Sequence, residues 1–90
     1  MKTYYLMDST IFSKAEDVVA ALKSGKIVKN DDKRVDFMIK KHYGKDTLYV
    51  RDAFFGPDKW ATVARIASDS DIVKAMDDVV DSMVSVPVRK

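Results

Sequence analysis

Two stretches in the middle of the chain alternate between apolar and polar residues, and they constrain the fold more than any other feature. Apolar side chains occupy every second position from Val35 to Ile39. Leu48 and Val50 alternate with polar neighbours in the same way within residues 47–53. A period of two is typical of strands with one buried face. The sequence therefore predicts two neighbouring, half-buried strands.

The short segment between these strands predicts how they pair. Gly44-Lys45 suits a two-residue type II′ turn, because its first position needs a positive φ that glycine adopts without strain. This loop would place Ile39 opposite Val50 and Lys40 opposite Tyr49, so that apolar residues share one face. The polar face of the predicted hairpin then carries Met38, Lys40, His42, Thr47, Tyr49 and Arg51.

Two segments have the pattern of amphipathic helices. Ser13–Glu16 has the form of a capping box, which predicts a helix over residues 14–24 that ends at Gly25. A second helix is predicted after a cap at Ser68–Asp71, because apolar residues then recur at helical spacing. It should end near Val86-Pro87, since the residue before a proline disfavours helix.

The remaining segments complete an α+β fold. We expect strands at Thr3–Met7, Lys26–Lys29 and Lys59–Ala67, with Trp60 in the core. Three further features are expected outside these strands: turns at Asn30–Lys33 and Gly56–Asp58, and a strand stub at Val86–Val88. The prediction is a single α+β domain over residues 1–90, a mostly antiparallel sheet with two helices packed on one face, in the order β-α-β-β-β-β-α.

Composition bounds the possible chemistry. The 90 residues, 47% of them hydrophobic, suffice for one small domain with a compact core. No cysteine is present, so disulfides, thiolate metal sites and cysteine nucleophiles are excluded. No apolar run approaches the roughly 20 residues that span a bilayer, and we expect a soluble, cytoplasmic protein.

The net charge of +2 is the sum of two regions of opposite sign. Residues 23–51 hold nine Lys or Arg and four Asp, which gives a net charge of +5. Residues 66–86 hold five Asp and one Lys, which gives −4. The sequence thus predicts a polarised surface with a basic central hairpin and an acidic last helix.

The basic hairpin supplies most of the candidate binding residues. Lys40, His42, Tyr49 and Arg51 would share a face with Arg65 of the next strand, and cations beside rings can bind phosphates and stack bases. Phe55 is a further candidate, because one of two adjacent phenylalanines near a turn is expected to be exposed. The alternatives are a plain solvated sheet face and a Phe55 that packs against a helix.

Nothing in the sequence predicts a catalytic, metal or cofactor site. His42 is the one histidine, and no nucleophile motif accompanies it. The aspartates from Asp69 to Asp81 lack the glycine and distal glutamate of a calcium loop. The order of elements is superficially similar to an RNA-recognition motif, but Lys45–Val50 does not match the aromatic signature of that family.

Two functional hypotheses remain open at this point. The preferred one is a small non-enzymatic binding or inhibitor module that acts through a protein partner or self-association. We expect it to be of the kind that phages and mobile elements encode to block a host factor. The alternative is a nucleic-acid or nucleotide-binding module that uses the basic, aromatic sheet face.

Overall fold

The strands and helices of the chain follow the predicted order. A computed structural model describes residues 1–30, 34–52 and 59–82. Its elements are β1 (Tyr5–Leu6), α1 (Ala15–Lys23), β2 (Val28–Asn30), β3 (Val35–His42), β4 (Lys45–Asp52), β5 (Ala61–Arg65) and α2 (Ser70–Ser82). The five strands form one antiparallel sheet in the order β1-β2-β3-β4-β5. The predicted α+β fold is confirmed.

Several sequence predictions fall outside the residues that the structure describes. They are the turn at Gly56–Asp58, most of the turn at Asn30–Lys33, the pair Phe54-Phe55 and the strand stub at Val86–Val88. Asn30 itself lies at the end of β2 and not in a turn. Its buried amide fits there because Nδ2 donates a hydrogen bond to the Thr3 carbonyl oxygen at 3.1 Å.

The hairpin of β3 and β4 has a different loop from the predicted one. Tyr43 and Gly44 both have positive φ, of 54° and 79°, which is the pattern of a type I′ turn. Phe37 therefore lies opposite Val50. The register differs by two residues from the prediction, which was wrong in placing Ile39 there. Because side chains alternate with a period of two, a shift of two keeps every residue on its predicted face.

Both helices pack on one face of the sheet, which we call the covered face. The strands contribute alternate apolar residues to it, and the helices contribute one stripe each. The buried core consists of Tyr4, Val18, Ala21, Leu22, Val28, Val35, Phe37, Ile39, Leu48, Ile72, Met76 and Val80. The helical spacing of the last three confirms the predicted stripe of α2.

The ends of α1 confirm one sequence prediction and correct another. Gly25 has a φ of 92° and its N–H donates to the Leu22 carbonyl, while the N–H of Lys26 donates to the Ala21 carbonyl. These two hydrogen bonds form a Schellman motif, as expected for a helix that ends at a glycine. The predicted capping box is wrong, because Lys14 and not Ser13 is the N-cap and its side chain makes no capping hydrogen bond.

Tyr4 connects the start of the sheet to α2. Its ring lies edge-on against Phe37, with 6.1 Å between the ring centroids. Its hydroxyl donates to Asp77 Oδ1 at 2.8 Å, and the Lys2 backbone N–H donates to the same oxygen. Burial and the adjacent Asp77 carboxylate raise the pKa of Tyr4 far above its usual range, because both disfavour a phenolate. The phenol is therefore a neutral donor that fixes α2 over the sheet.

Candidate binding face of the sheet

The side of the sheet away from both helices, here called the open face, carries the predicted binding residues. Alternation and the observed register place four candidates on it: Lys40, His42, Tyr49 and Arg51. Met38 and Thr47 join them from the same two strands, and Arg65 from β5, as predicted. No helix among the described residues lies over this face. Phe55, the fifth candidate, lies outside the described residues.

Arg51 is held by two neighbours at one end of the face. Its Nη2 and Nε donate to Asp36 Oδ2 at 2.7 and 3.0 Å. Its guanidinium carbon lies 4.5 Å from the centroid of the Trp60 ring. The Asp36 side chain is only 10% exposed, so this ion pair is largely shielded from water. Arg51 is thus a fixed and neutralised cation.

The corrected register explains the Asp36–Arg51 pair. The predicted hairpin placed Met38 opposite Arg51, whereas the observed one places Asp36 there. Trp60 was expected in the core, and this prediction is wrong. Its half-buried ring lies outside the apolar cluster of the covered face and stacks with Arg51.

Neighbouring residues extend this end of the face across the sheet. Tyr5 lies opposite Lys29, Lys29 opposite Asp36, and Asp36 opposite Arg51. In the next row, Tyr49 lies between Met38 and Thr62. We call Met38, Tyr49, Arg51 and Trp60 the aromatic end of the open face. These side chains are half-buried, so part of each of them is accessible to solvent.

The other end of the open face, beside the hairpin loop, is cationic. Lys40 and Arg65 flank Thr47 on either side, and His42 lies opposite Lys45. Lys40, Lys45 and Arg65 are exposed, and none of them forms an ion pair with another described residue. We call Lys40, His42, Lys45 and Arg65 the cationic end. The charges of Lys40, Lys45 and Arg65 are therefore not neutralised by the described residues.

The hairpin loop projects beyond the helices. Lys41 belongs to the covered side by alternation, yet its side chain is 72% exposed and pairs with Asp46 at 3.1 Å. Tyr43 is 88% exposed, and its ring contacts that of His42 edge-on at 4.5 Å. The loop therefore adds an exposed ring and an imidazole to the cationic end.

A separate groove runs between the two helices. It has a volume of about 460 Å³ and is lined by Ala15, Glu16, Val19, Ala20, Lys23, Asp69, Ser70 and Val73. Lys23 Nζ lies 2.9 Å from Asp69 Oδ1, and this pairing raises the pKa of Lys23. Four of the eight lining residues are apolar, and the other four are Glu16, Ser70 and the two residues of this bridge.

Sequence reasoning missed several members of the open face. Asp36 and Lys45 were readable from the alternation of β3 and β4, once the loop was placed correctly. The contact of Trp60 with Arg51 had no local signal, because it depends on the register shift in the pairing of β4 with β5 beside Leu48 and Tyr49. Lys29 and Tyr5 required the pairing of β1 with β2.

Tests for other kinds of site give nothing within the described residues. No group of three or more acidic or histidine side chains there is arranged to hold a metal ion. None of the helices described is long and apolar enough to cross a bilayer. Comparison with protein-family models, curated proteins and solved structures finds no match for this chain.

Proposed function

We propose that this chain is a non-enzymatic binding module and that the open face is its binding surface. One observation carries the proposal: rings and cations from three neighbouring strands share a sheet face that no described helix covers. Tyr, Trp, Met and Arg are the side chains most enriched in the centres of binding surfaces. The aromatic end supplies all four types.

The fixed position of Arg51 supports binding rather than catalysis. Its carboxylate partner and the Trp60 ring hold it in one geometry before any ligand arrives. Binding surfaces gain affinity when their side chains are ordered in advance, because less conformational entropy is lost. His42 contacts Tyr43, and its ring has no hydrogen-bonded carboxylate among the described residues. We propose that the chain acts stoichiometrically, as an inhibitor does, and that it is located in the cytoplasm.

Two partner classes fit a surface of this kind, a protein and a nucleic acid. A protein would cover the aromatic end and meet the cations with acidic residues. On the sequence alone we prefer a protein partner, and a second copy of this chain is one such partner. Either partner would be blocked by the same substitutions on the open face.

Site-directed photo-crosslinking in the native host tests the proposal. A photoreactive phenylalanine analogue replaces Thr62, which is exposed on the open face beside Tyr49. The matched control carries the same analogue at Asp78, which is exposed on α2. We expect adducts from position 62 that position 78 does not give. Identical adducts from both positions, or none from position 62, would contradict the proposal.

A further inference from the structure

We propose that the ligand of the open face is a single-stranded nucleic acid. This inference rests on the proposed function and names its partner. Asp36 is the one acidic residue among the described strand residues on this face, and Arg51 already neutralises it. Among the described strand residues of this face, no other acidic side chain therefore compensates the cations at the other end.

The cations are spaced to follow an extended polyanion. Lys40 and Arg65 lie one strand to either side of Thr47, so their Cα atoms are about 10 Å apart. His42 and Lys45 form the next row, about 7 Å further along the strands. A phosphate backbone crossing the cationic end would meet Lys40, Lys45 and Arg65 in turn, with His42 as a hydrogen-bond donor.

The aromatic end lies where the bases of such a strand would reach. Tyr49 is in the row directly beside Lys40 and Arg65, and Arg51 with Trp60 is in the row after it. Rings and guanidinium planes stack on bases of any sequence, at about 1–3 kcal/mol for each base. The bases of a duplex are paired and stacked inside it, so their faces cannot reach these rings. Single strands are therefore the form that uses both ends.

The intrinsic fluorescence of Trp60 can report this interaction. Trp60 is the single tryptophan, and it belongs to the aromatic end. Unlabelled single-stranded DNA or RNA of about 15 nucleotides should quench its fluorescence as bases stack nearby. If Lys40, Lys45 and Arg65 each neutralise one phosphate, the logarithm of affinity should fall with the logarithm of salt with a slope of about −2. Affinity would then drop roughly 20-fold between 50 and 200 mM salt.

Two variants separate the contributions of the two ends. Lys40→Gln/Arg65→Gln should reduce the salt slope to about −0.7 and weaken binding more than tenfold at low salt. Its control, Lys14→Gln/Lys74→Gln, removes the same charge from exposed positions before α1 and on α2, and should leave the slope unchanged. Tyr49→Ala should weaken binding roughly tenfold at an unchanged slope. Circular dichroism confirms that each variant is folded.

Four outcomes would overturn the inference. The first is no quenching at protein concentrations up to about 10⁻⁴ M, and the second is an equal loss of affinity in the two double variants. The third is equal affinity for duplex DNA, and the fourth is equal competition by polyglutamate, which lacks bases. Light scattering at low salt measures the mass of the protein without nucleic acid. A doubled mass would show that a second copy of the chain, and not a nucleic acid, covers the open face. If oligonucleotides fail while crosslinks still form from position 62 to a protein, the inference is lost and the proposed function stands.

Discussion

The covered face and the open face are built from alternating residues of the same strands, yet they treat polar groups in opposite ways. Phe37 and Leu48 are fully buried on the covered face, where Tyr4 brings a hydroxyl that Asp77 satisfies. On the open face, the same strands present Lys40 and Tyr49. The apolar face drives folding through burial, so the exposed positions of the other face, such as Lys40, are under little constraint from stability and can hold ligand-binding side chains.

A second contrast lies within the open face. Arg51 at the aromatic end is paired with Asp36 and stacked on Trp60. Lys40 and Arg65 at the cationic end have no ion-pair partner among the described residues. The paired cation acts as part of the scaffold, whereas the other two would meet the proposed ligand. Substitutions at the two ends should therefore affect different measurements.

The largest expected effect comes from neighbouring residues on opposite faces of β3. Phe37→Ala should lower the free energy of unfolding by about 3–5 kcal/mol, because it leaves a cavity in the core. Met38→Ala, its control on the open face, should cost about 1 kcal/mol or less. Urea denaturation measures both. If both substitutions lowered the free energy of unfolding by similar amounts, Met38 would be as tightly packed as Phe37, and the open face would not be an uncovered surface.

The second prediction concerns the fixed cation. Asp36→Asn should destabilise the fold by about 1–3 kcal/mol, since it leaves the half-buried Arg51 without its carboxylate. Arg51→Met should recover part of this loss when combined with Asp36→Asn, and a double-mutant cycle in urea measures the coupling. A coupling near zero would mean that the pair contributes nothing and that the two ends of the open face do not differ in this respect.

How well the sequence predicted each feature depends on whether that feature is set by residues close together in the chain or far apart. Alternation and helical spacing are local patterns, so the order of elements and the faces of the β3 and β4 residues were correct, whereas Trp60 was assigned to the wrong face. The hairpin register was wrong because Tyr43 adopts a left-handed conformation that the sequence suggested only for Gly44. That error hid the partner of Arg51, since the ionic contact with Asp36 depends on the register.

Other features of the site had no local signal at all. Trp60 was assigned to the core because it alternates with Thr62, Ala64 and Ile66. The register shift beside Leu48 and Tyr49 interrupts that alternation, and Trp60 contacts Arg51 instead. Lys40 and Arg65 have no ion-pair partner among the described residues, and this depends on the pairing of three strands. Sequence patterns predicted which side chains share a face, and the structure was needed to show which of their charges are already neutralised.

The third prediction tests the polar anchor of the covered face. Tyr4→Phe should cost about 1–2 kcal/mol, because Asp77 loses a hydrogen bond. The pKa of Tyr4 is raised in the folded state, so folding favours the protonated phenol. Its contribution is complete below the ordinary pKa of 10.0 and is lost as pH rises above it. Urea midpoints between about pH 9 and 11 should fall more steeply for the native protein than for Tyr4→Phe; parallel curves would contradict this.

The smallest expected effect lies at the hairpin loop and tests the corrected register. Tyr43→Asn should stabilise the protein by a few tenths of a kcal/mol, because asparagine tolerates the observed φ of 54° better than tyrosine and Asn-Gly favours a type I′ turn. The loss of the ring contact with His42 opposes this gain. His42→Ala provides the control, since it removes the contact and leaves the turn unchanged. If the Gly44-Lys45 loop were correct instead, Tyr43 would not need a left-handed conformation and the substitution would bring no gain in the urea midpoint.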